Sequence, residues 1–296
     1  NDPMGNPNGA VPTEPATGKN LGSAGVPGAA ALDKDGKTAY VLVTDADQNV
    51  QLMSYPTNGM EPAKISTSVP LQAPTAMIID GSDTLYIADI GHDNGGVVYR
   101  GDLSGSLSVV TTDIRAPAGI AVSPDGKDLY VTGQDKDGAP AVFQVPAAGG
   151  TATVATKGEP LSQPSGLTFS ADGTLYVMDG TAKGPREGAV LKVMGSTATV
   201  FSQGTMTVAF PAGLAPSGMT GLLATSNAPG AANIYAIASD GSVKPQVLSG
   251  DKLNLDGDPT TIARAAKANA WVVVDTATSP QKTAGVVSGT VLLLTP

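Results

Sequence analysis

Six prolines recur along the chain at intervals of 43 to 48 residues, and this repeat constrains the fold more than any other feature. Each proline is followed by a short run rich in Gly and Ala, then a tight turn, then an apolar run with one large residue. The stretch from Ala116 to Thr132 shows the unit clearly, because Asp125-Gly126 supplies the residue types that a hairpin turn requires. The prolines that open the units are Pro27, Pro74, Pro117, Pro164, Pro211 and Pro259.

The rest of each unit also alternates between apolar and polar residues, which is typical of strands. The large residue of the second run is Tyr40, Tyr86, Tyr130, Tyr176, Leu223 or Trp271. A third strand is predicted in all six units and a fourth in the first five. Units of this length with four strands indicate an all-β, six-bladed β-propeller with four antiparallel strands per blade. Helical repeats are disfavoured, because a proline interrupts every unit.

The sixth unit ends at Pro296 after its third strand, so only the N-terminal segment is left to supply the fourth. We predict this closing strand between Val11 and Leu21, where prolines are tolerated because the fourth strand is an outer edge. Residues 1–25 are rich in Pro, Gly, Asn and Thr. We expect them to form a tether and the closing strand, or an ordered arm on the domain, and residues 26–296 to form one propeller domain.

Composition narrows the classes of partner. The net charge is −9 without a basic cluster, which argues against nucleic acid and anionic membranes. The longest apolar runs, such as Val291 to Leu294, are too short to span a bilayer. There are no cysteines, so disulfides and thiolate metal sites are excluded. The tether-like composition of the N-terminal segment leads us to expect an extracytoplasmic monomer, which would be periplasmic, at the cell surface or secreted. Anchoring as a lipoprotein is one form of this expectation.

The segments GIAVSPDGKDLYVTG and SGLTFSADGTLYVMD resemble repeats of the NHL, YVTN and gluconolactonase (senescence-marker) groups of propellers. The resemblance covers residues 27 to 296. It implies the propeller fold, but propellers of this kind include lactonases, lyases, surface proteins and protein-binding platforms. The resemblance therefore predicts the fold and leaves the activity open.

In a propeller, the loops that precede the first strands and the loops that join strands two and three lie on one face, around the mouth of the central channel. We predict a polar ligand pocket there. Arg115 of blade three and Asp258 of blade six are three blades apart, so they should face each other across the channel. The complete set of primary candidates is Gln72, Arg115, Gln163, Ser165, Phe210, Asp258 and Thr260.

Aspartates at matching positions after the second strands offer a second set of candidates, namely Asp45, Asp89, Asp179 and Asp275. They could form a Ca²⁺ ring, or they could accept hydrogen bonds from backbone amides and organise their loops. Resemblance to gluconolactonases implies a metal held by a Glu before the blade proline and by Asn residues from other loops. No Glu stands two residues before any blade proline and no Asn follows one. We therefore expect no bound cofactor, with Ca²⁺ as the alternative.

Three further residues on predicted loops of the same face are candidates. His92, the single histidine, could act as a base beside Asp89, or it could be an ordinary solvated side chain. Lys183 and Arg186 could accept a carboxylate or a sugar acid, or they could serve solubility. No G-x-S-x-G motif supports a Ser–His–Asp triad.

These features favour an exported, non-catalytic binding or scaffold propeller for an unknown small molecule or protein. A lactonase-like hydrolase or lyase with an altered divalent-metal site is the alternative. A structural cell-envelope protein without a small ligand is a third possibility. A metal at the channel mouth would favour the enzyme, whereas a groove on the side or on the opposite face would favour the binding protein.

Overall fold

In the computed structural model, the chain forms six β-sheets and the part described contains no helix. The structure describes residues 15–22, 25–91, 95–185, 187–204, 206–207, 212–218, 220–228, 231–246, 249–250, 259–276 and 289–296. Five sheets have four strands each and the sixth has five. This confirms the prediction of a six-bladed, all-β propeller. No helix within these ranges is long and apolar enough to cross a membrane.

The strands follow the order predicted from the repeat. Blades one to three contain β2 (Val26–Leu32), β3 (Thr38–Thr44), β4 (Val50–Pro56), β5 (Ala63–Ile65), β6 (Pro74–Ile79), β7 (Leu85–Asp89), β8 (Val97–Gly101), β9 (Leu107–Thr111), β10 (Arg115–Val122), β11 (Asp128–Gln134), β12 (Pro140–Pro146) and β13 (Thr153–Lys157). Blades four and five contain β14 (Pro164–Phe169), β15 (Leu175–Gly184), β16 (Glu187–Met194), β17 (Thr197–Val200), β18 (Leu214–Ser217), β19 (Gly221–Ala228), β20 (Ala231–Ile237) and β21 (Val243–Pro245). Blade six contains β23 (Pro259–Arg264), β24 (Trp271–Asp275) and β25 (Thr290–Thr295), together with β1 (Thr17–Gly22) and β22 (Ser249–Gly250).

The N-terminal strand β1 closes the ring, as predicted. It pairs antiparallel with β25, and Lys19 lies opposite Leu293. The strand begins at Thr17, inside the predicted range, and ends at Gly22, one residue beyond it. The structure adds a fifth strand that the repeat did not predict, because β22 pairs parallel with Thr17 and Gly18. The assignment of residues 1–14 to a tether lies outside the described residues and stays a prediction.

The hydrophobic core consists of six clusters, each formed between two neighbouring blades. The large second-strand residues pack there, as predicted for the side chains that fill the space between blades. Trp271 is fully buried between blades five and six, and its Nε1 donates a hydrogen bond to the carbonyl oxygen of Pro216 at 2.9 Å.

Small residues are required where the first strands converge. A Cβ added at Gly119 would lie 2.2 Å from the carbonyl oxygen of Ser165, and one at Gly166 would lie 2.5 Å from that of Ala212. Side chains cannot approach backbone atoms so closely. The Gly and Ala content of the first strands therefore follows from the close approach of neighbouring blades around the channel.

Candidate functional site

The channel has two ends, which differ in their residues. We call the end at the blade prolines the proline face, and the end at the hairpins between strands one and two the hairpin face. Those sequence candidates that the structure describes in the loops beside the blade prolines belong to the proline face. The larger of the channel cavities lies at the hairpin face.

Two of the predicted aspartates anchor the loops of the proline face. The carboxylate of Asp89 is fully buried and accepts hydrogen bonds from the backbone N–H groups of Gln72 (2.8 Å), Ala73 (2.9 Å) and Gly91 (2.9 Å). In blade four, the carboxylate of Asp179 is also fully buried and accepts from the backbone of Ser162, Gln163 and Thr181 at 2.8 to 3.0 Å.

These bonds join the loop that leaves strand two to the loop that precedes strand one. Both oxygens of each carboxylate receive N–H donors, which a metal ion would have to displace. The geometry therefore supports the loop-organising role for Asp89 and Asp179.

The two other aspartates of this set lie in the same loop position. Asp45 accepts hydrogen bonds from the backbone N–H groups of Asn49 (2.9 Å) and Asp47 (3.0 Å), and the bond from Asn49 is the main reason that the pKa of Asp45 is lowered. Asp275 is buried and lies opposite Pro259 in the ladder of blade six. The described part of the chain contains no group of three His, Cys, Asp or Glu residues that could hold a metal ion.

The primary candidates Arg115, Gln72 and Gln163 lie exposed at the proline face. Arg115 is exposed, and its Nη1 donates to the carbonyl oxygen of Lys136 at 3.3 Å. Gln72 and Gln163 are exposed, and their backbone amides bind Asp89 and Asp179. Asp258 and Phe210 fall outside the described residues, as do the loop candidates His92 and Arg186. The expected opposition of Arg115 and Asp258 therefore stays a prediction.

Ser165 and Thr260 each follow a blade proline in the first strand of their blade. The Oγ of Ser165 is buried and donates to the carbonyl oxygen of Ala212 in the next blade at 3.1 Å. Thr260 lines a small cavity inside the proline face, and its buried Oγ1 has no hydrogen-bond partner among the described residues. The volume of this cavity is about 50 Å³. At ~30 Å³ per water molecule, this volume corresponds to one or two waters.

Lys183 departs from its expected position in a loop. Strand β15 continues to Gly184, which pairs with Glu187, so Lys183 lies within an extended hairpin. Its Nζ donates to the carbonyl oxygen of Ser202 at 2.9 Å and to that of Gly204. The ammonium group binds backbone carbonyls of its own blade because β15 is longer than the second strands of the other blades.

The hairpin face contains a cavity of about 380 Å³ that the sequence analysis did not anticipate. Large apolar side chains from the first strands form much of its wall. Five of them also line the small cavity inside the proline face and so separate the two: Met77, Ile120, Leu167, Leu214 and Ile262. Each stands three residues after its blade proline, and this regularity could have revealed them. Blade one has Ala30 at that position, and Ala31 lines the cavity.

Arg264 is the one basic residue among the residues that line the larger cavity. It lies at the end of β23, directly opposite Trp271 in β24. Its Nη2 donates to Oδ1 of Asn269 at 2.8 Å, and its Cζ lies 5.8 Å from the centre of the Trp271 ring. The guanidinium is thus held between an amide and an aromatic face, at the wall of a largely apolar cavity.

Two aspartates line the same cavity from blades two and three. Asp80 accepts hydrogen bonds from the backbone N–H groups of Ser82 and Thr84 at 2.7 and 2.9 Å. Asp125 accepts from the Ser123 hydroxyl at 2.7 Å, which is the main cause of its lowered pKa, and its Oδ2 lies 3.3 Å from Nζ of Lys127. Both carboxylates stabilise their own hairpin turns.

A raised carboxyl pKa is the usual mark of a general acid in a cleft. The carboxyl groups whose pKa departs from the ordinary value all have it lowered; they are Asp45, Asp83, Asp102, Asp125, Asp135, Asp172 and Asp240. These aspartates are best suited to stabilise turns as permanently charged acceptors.

Comparison with known proteins identifies solved structures with the same fold, and it identifies no family to which the chain belongs. No family model matches the sequence, and no curated protein matches it. Among solved structures, the chain is similar to the nidogen/laminin complex with 19% identity and a TM-score of 0.66, covering 83% of this chain and 87% of that chain. It is similar to the gluconolactonase XC5397 of Xanthomonas campestris with 15% identity and a TM-score of 0.65, covering 96% of both chains.

A structure described as a glucose dehydrogenase has a TM-score of 0.68 at 11% identity, covering 95% of this chain and 99% of that chain. Identities this low establish the architecture alone. The chain is a six-bladed β-propeller whose structural neighbours include gluconolactonase-like proteins and the propeller of the nidogen/laminin complex.

Proposed function

We propose that this protein is a non-catalytic binding propeller that takes a small molecule in the cavity at the hairpin face. The observation that carries the proposal is the cavity itself, with its volume of about 380 Å³ and its wall of apolar side chains and a few polar groups. Sites for small molecules commonly have this size and this combination of lining residues. The cavity lies on the face opposite the proline face, and a groove in that position favours a binding protein over an enzyme.

The contacts at the proline face support a binding role over catalysis. The carboxylates of Asp89 and Asp179, which a lactonase-like site would use, accept three backbone hydrogen bonds each. The cavity that the described residues form inside this face has a volume of about 50 Å³, much smaller than that of the cavity at the hairpin face. Turnover of glucono-δ-lactone by the wild type that requires added Ca²⁺, Mn²⁺ or Zn²⁺ would establish the lactonase-like alternative instead.

Fluorescence of Trp271 provides a direct test, because it is the single tryptophan of the chain. Its indole bonds to Pro216 and lies beside Arg264, and both of these residues line the cavity. We expect 1-octanol to change the emission in a saturable manner in the wild type. The half-buried Ala266 lines the cavity, so Ala266→Phe should block binding.

The control is Ala152→Phe, since Ala152 is also half-buried but does not line the cavity. Loss of octanol binding in Ala266→Phe alone supports the proposal. Equal binding by the wild type and both variants would refute it, because the octanol would then bind elsewhere.

The cellular location is a separate proposal that rests on the composition of residues 1–25. Fractionation of cells that express the full-length protein tests it. Recovery in the cytoplasmic fraction would contradict an exported protein.

A further inference from the structure

We infer that the cavity at the hairpin face binds a medium-chain carboxylate, with its anionic head group at Arg264 and its apolar chain along the channel. This inference rests on the proposed function, because it specifies the ligand of the same cavity. It follows from three properties of the wall: its volume, the position of its cation, and the separation of its charges.

The volume sets the size of the ligand. About 380 Å³ of space corresponds to roughly twelve non-hydrogen atoms, if each takes about the volume of a water molecule (~30 Å³). A carboxylic acid of about eight carbons fits this limit, whereas a long-chain fatty acid exceeds it. The apolar side chains of Met77, Ile120, Leu167 and Leu214 lie at the inner end of the cavity and can cover an alkyl chain.

The cation sets the chemistry of the head group. A guanidinium presents several N–H donors in a planar fork that matches the geometry of a carboxylate. Arg264 is half-buried, and its contacts with Asn269 and the Trp271 ring fix its orientation before a ligand binds. A fixed orientation reduces the entropy lost on binding.

The charges of the wall are separated across the channel. Arg264 belongs to blade six, and Asp125 belongs to blade three on the opposite side of the ring. Lys267 of blade six adds a second cation, whose Cε lies 3.7 Å from the Cβ position of Gly81 in the hairpin of blade two, next in the chain to the lining residue Asp80. Asp125 is neutralised by Lys127 and bonded to Ser123. Two cations of blade six, Arg264 and Lys267, thus stand against the lining carboxylates Asp80 and Asp125, and Arg264 is the cation that lines the cavity and can bind an anion.

Isothermal titration of the full-length protein with octanoate, 1-octanol and octylamine tests the inference, since these probes differ only in the head group. We expect octanoate to bind roughly tenfold to a hundredfold more tightly than octanol, as a charge-assisted hydrogen bond implies. Arg264→Gln should remove this preference, so that the ratio of the octanoate and octanol affinities falls to about one. Arg100→Gln is the matched control, because Arg100 is exposed on the third strand of blade two.

The outcomes separate this inference from the proposed function. If octanol and octanoate bind equally well, or octylamine binds most tightly, the carboxylate inference is overturned and the binding function stands. If none of the probes binds the wild type, both fail. Should Arg264→Gln not fold, the salt dependence of the wild type decides: a rise from 50 to 500 mM NaCl should weaken octanoate binding and not octanol binding. Equal salt dependence would overturn the inference.

Discussion

Replacing Asp179 with alanine should strongly destabilise the fold, because this carboxylate organises the proline face of blade four. The side chain is fully buried and accepts three backbone hydrogen bonds, from Ser162, Gln163 and Thr181 at 2.8 to 3.0 Å. Hydrogen bonds to a charged group contribute about 1.5–3 kcal/mol each. Since water can reach part of the loop after the substitution, we expect a net loss of about 3–5 kcal/mol in the free energy of unfolding.

Asp172 of the same blade provides the matched control. It is exposed and accepts hydrogen bonds from the Ser170 hydroxyl and the backbone of Thr174 in a hairpin turn. We expect Asp172→Ala to cost about 1 kcal/mol, the usual value for an exposed turn. Urea unfolding followed by Trp271 fluorescence measures both variants under the same conditions.

Two results would refute this reasoning. The first is an equal loss of stability in Asp179→Ala and Asp172→Ala, which would mean that burial of the three bonds does not matter. The second is a rise in the wild-type melting temperature with Ca²⁺ that is absent in Asp179→Ala. That result would assign Asp179 to a metal site and would favour the enzyme alternative.

Further predictions concern closure, packing and pH. Deletion of residues 1–22 should lower the melting temperature, because β25 loses its partner β1. Deletion of residues 1–14 should have little effect. Equal melting temperatures for the two truncated forms would contradict the closure of the ring by β1. Gly166→Ala should lower the free energy of unfolding by about 1–3 kcal/mol, because its Cβ would lie 2.5 Å from the carbonyl oxygen of Ala212. Gly180→Ala should lower it less, because its Cβ meets the flexible Gln163 side chain at 3.2 Å. The midpoints of urea unfolding of the two variants test this difference. The lowered pKa values of Asp45, Asp125 and Asp172 mean that their stabilising contribution is complete above the ordinary aspartate pKa and is lost as the pH falls through the lower folded-state values. Stability should therefore decline below about pH 4, and a urea midpoint that is unchanged down to pH 2.5 would contradict the shifts.

The sequence alone determined the number of blades, the order of the strands and the closure of the ring. These features are local and repeated: a proline before each first strand, Gly or Ala where blades meet, and a large residue such as Tyr86 or Trp271 in the second strand. Because every unit shows the same pattern, an ambiguous strand in one unit can be assigned from the equivalent positions in the others. Closure of the ring has a similar origin, because the outer edge of β25 is covered by its pairing with β1.

The candidate site was decided by the tertiary structure. The sequence could not show that Asp89 and Asp179 bind backbone amides that lie sixteen or seventeen residues earlier in the chain. The extension of β15 through Lys183 likewise depends on pairing with β16. Such contacts depend on how loops fold back, and a loop residue carries little information about that.

The cavity at the hairpin face also required the tertiary structure, for a physical reason. Its wall combines residues from all six blades, and each blade contributes only one small segment to it. In the sequence, Arg264 is an ordinary charged residue near a turn. It becomes a candidate ligand-binding residue because Trp271 lies opposite it in the sheet and because the channel cavity lies beside it. A repeat determines the shape of each blade, whereas the space that remains along their common axis depends on all six together.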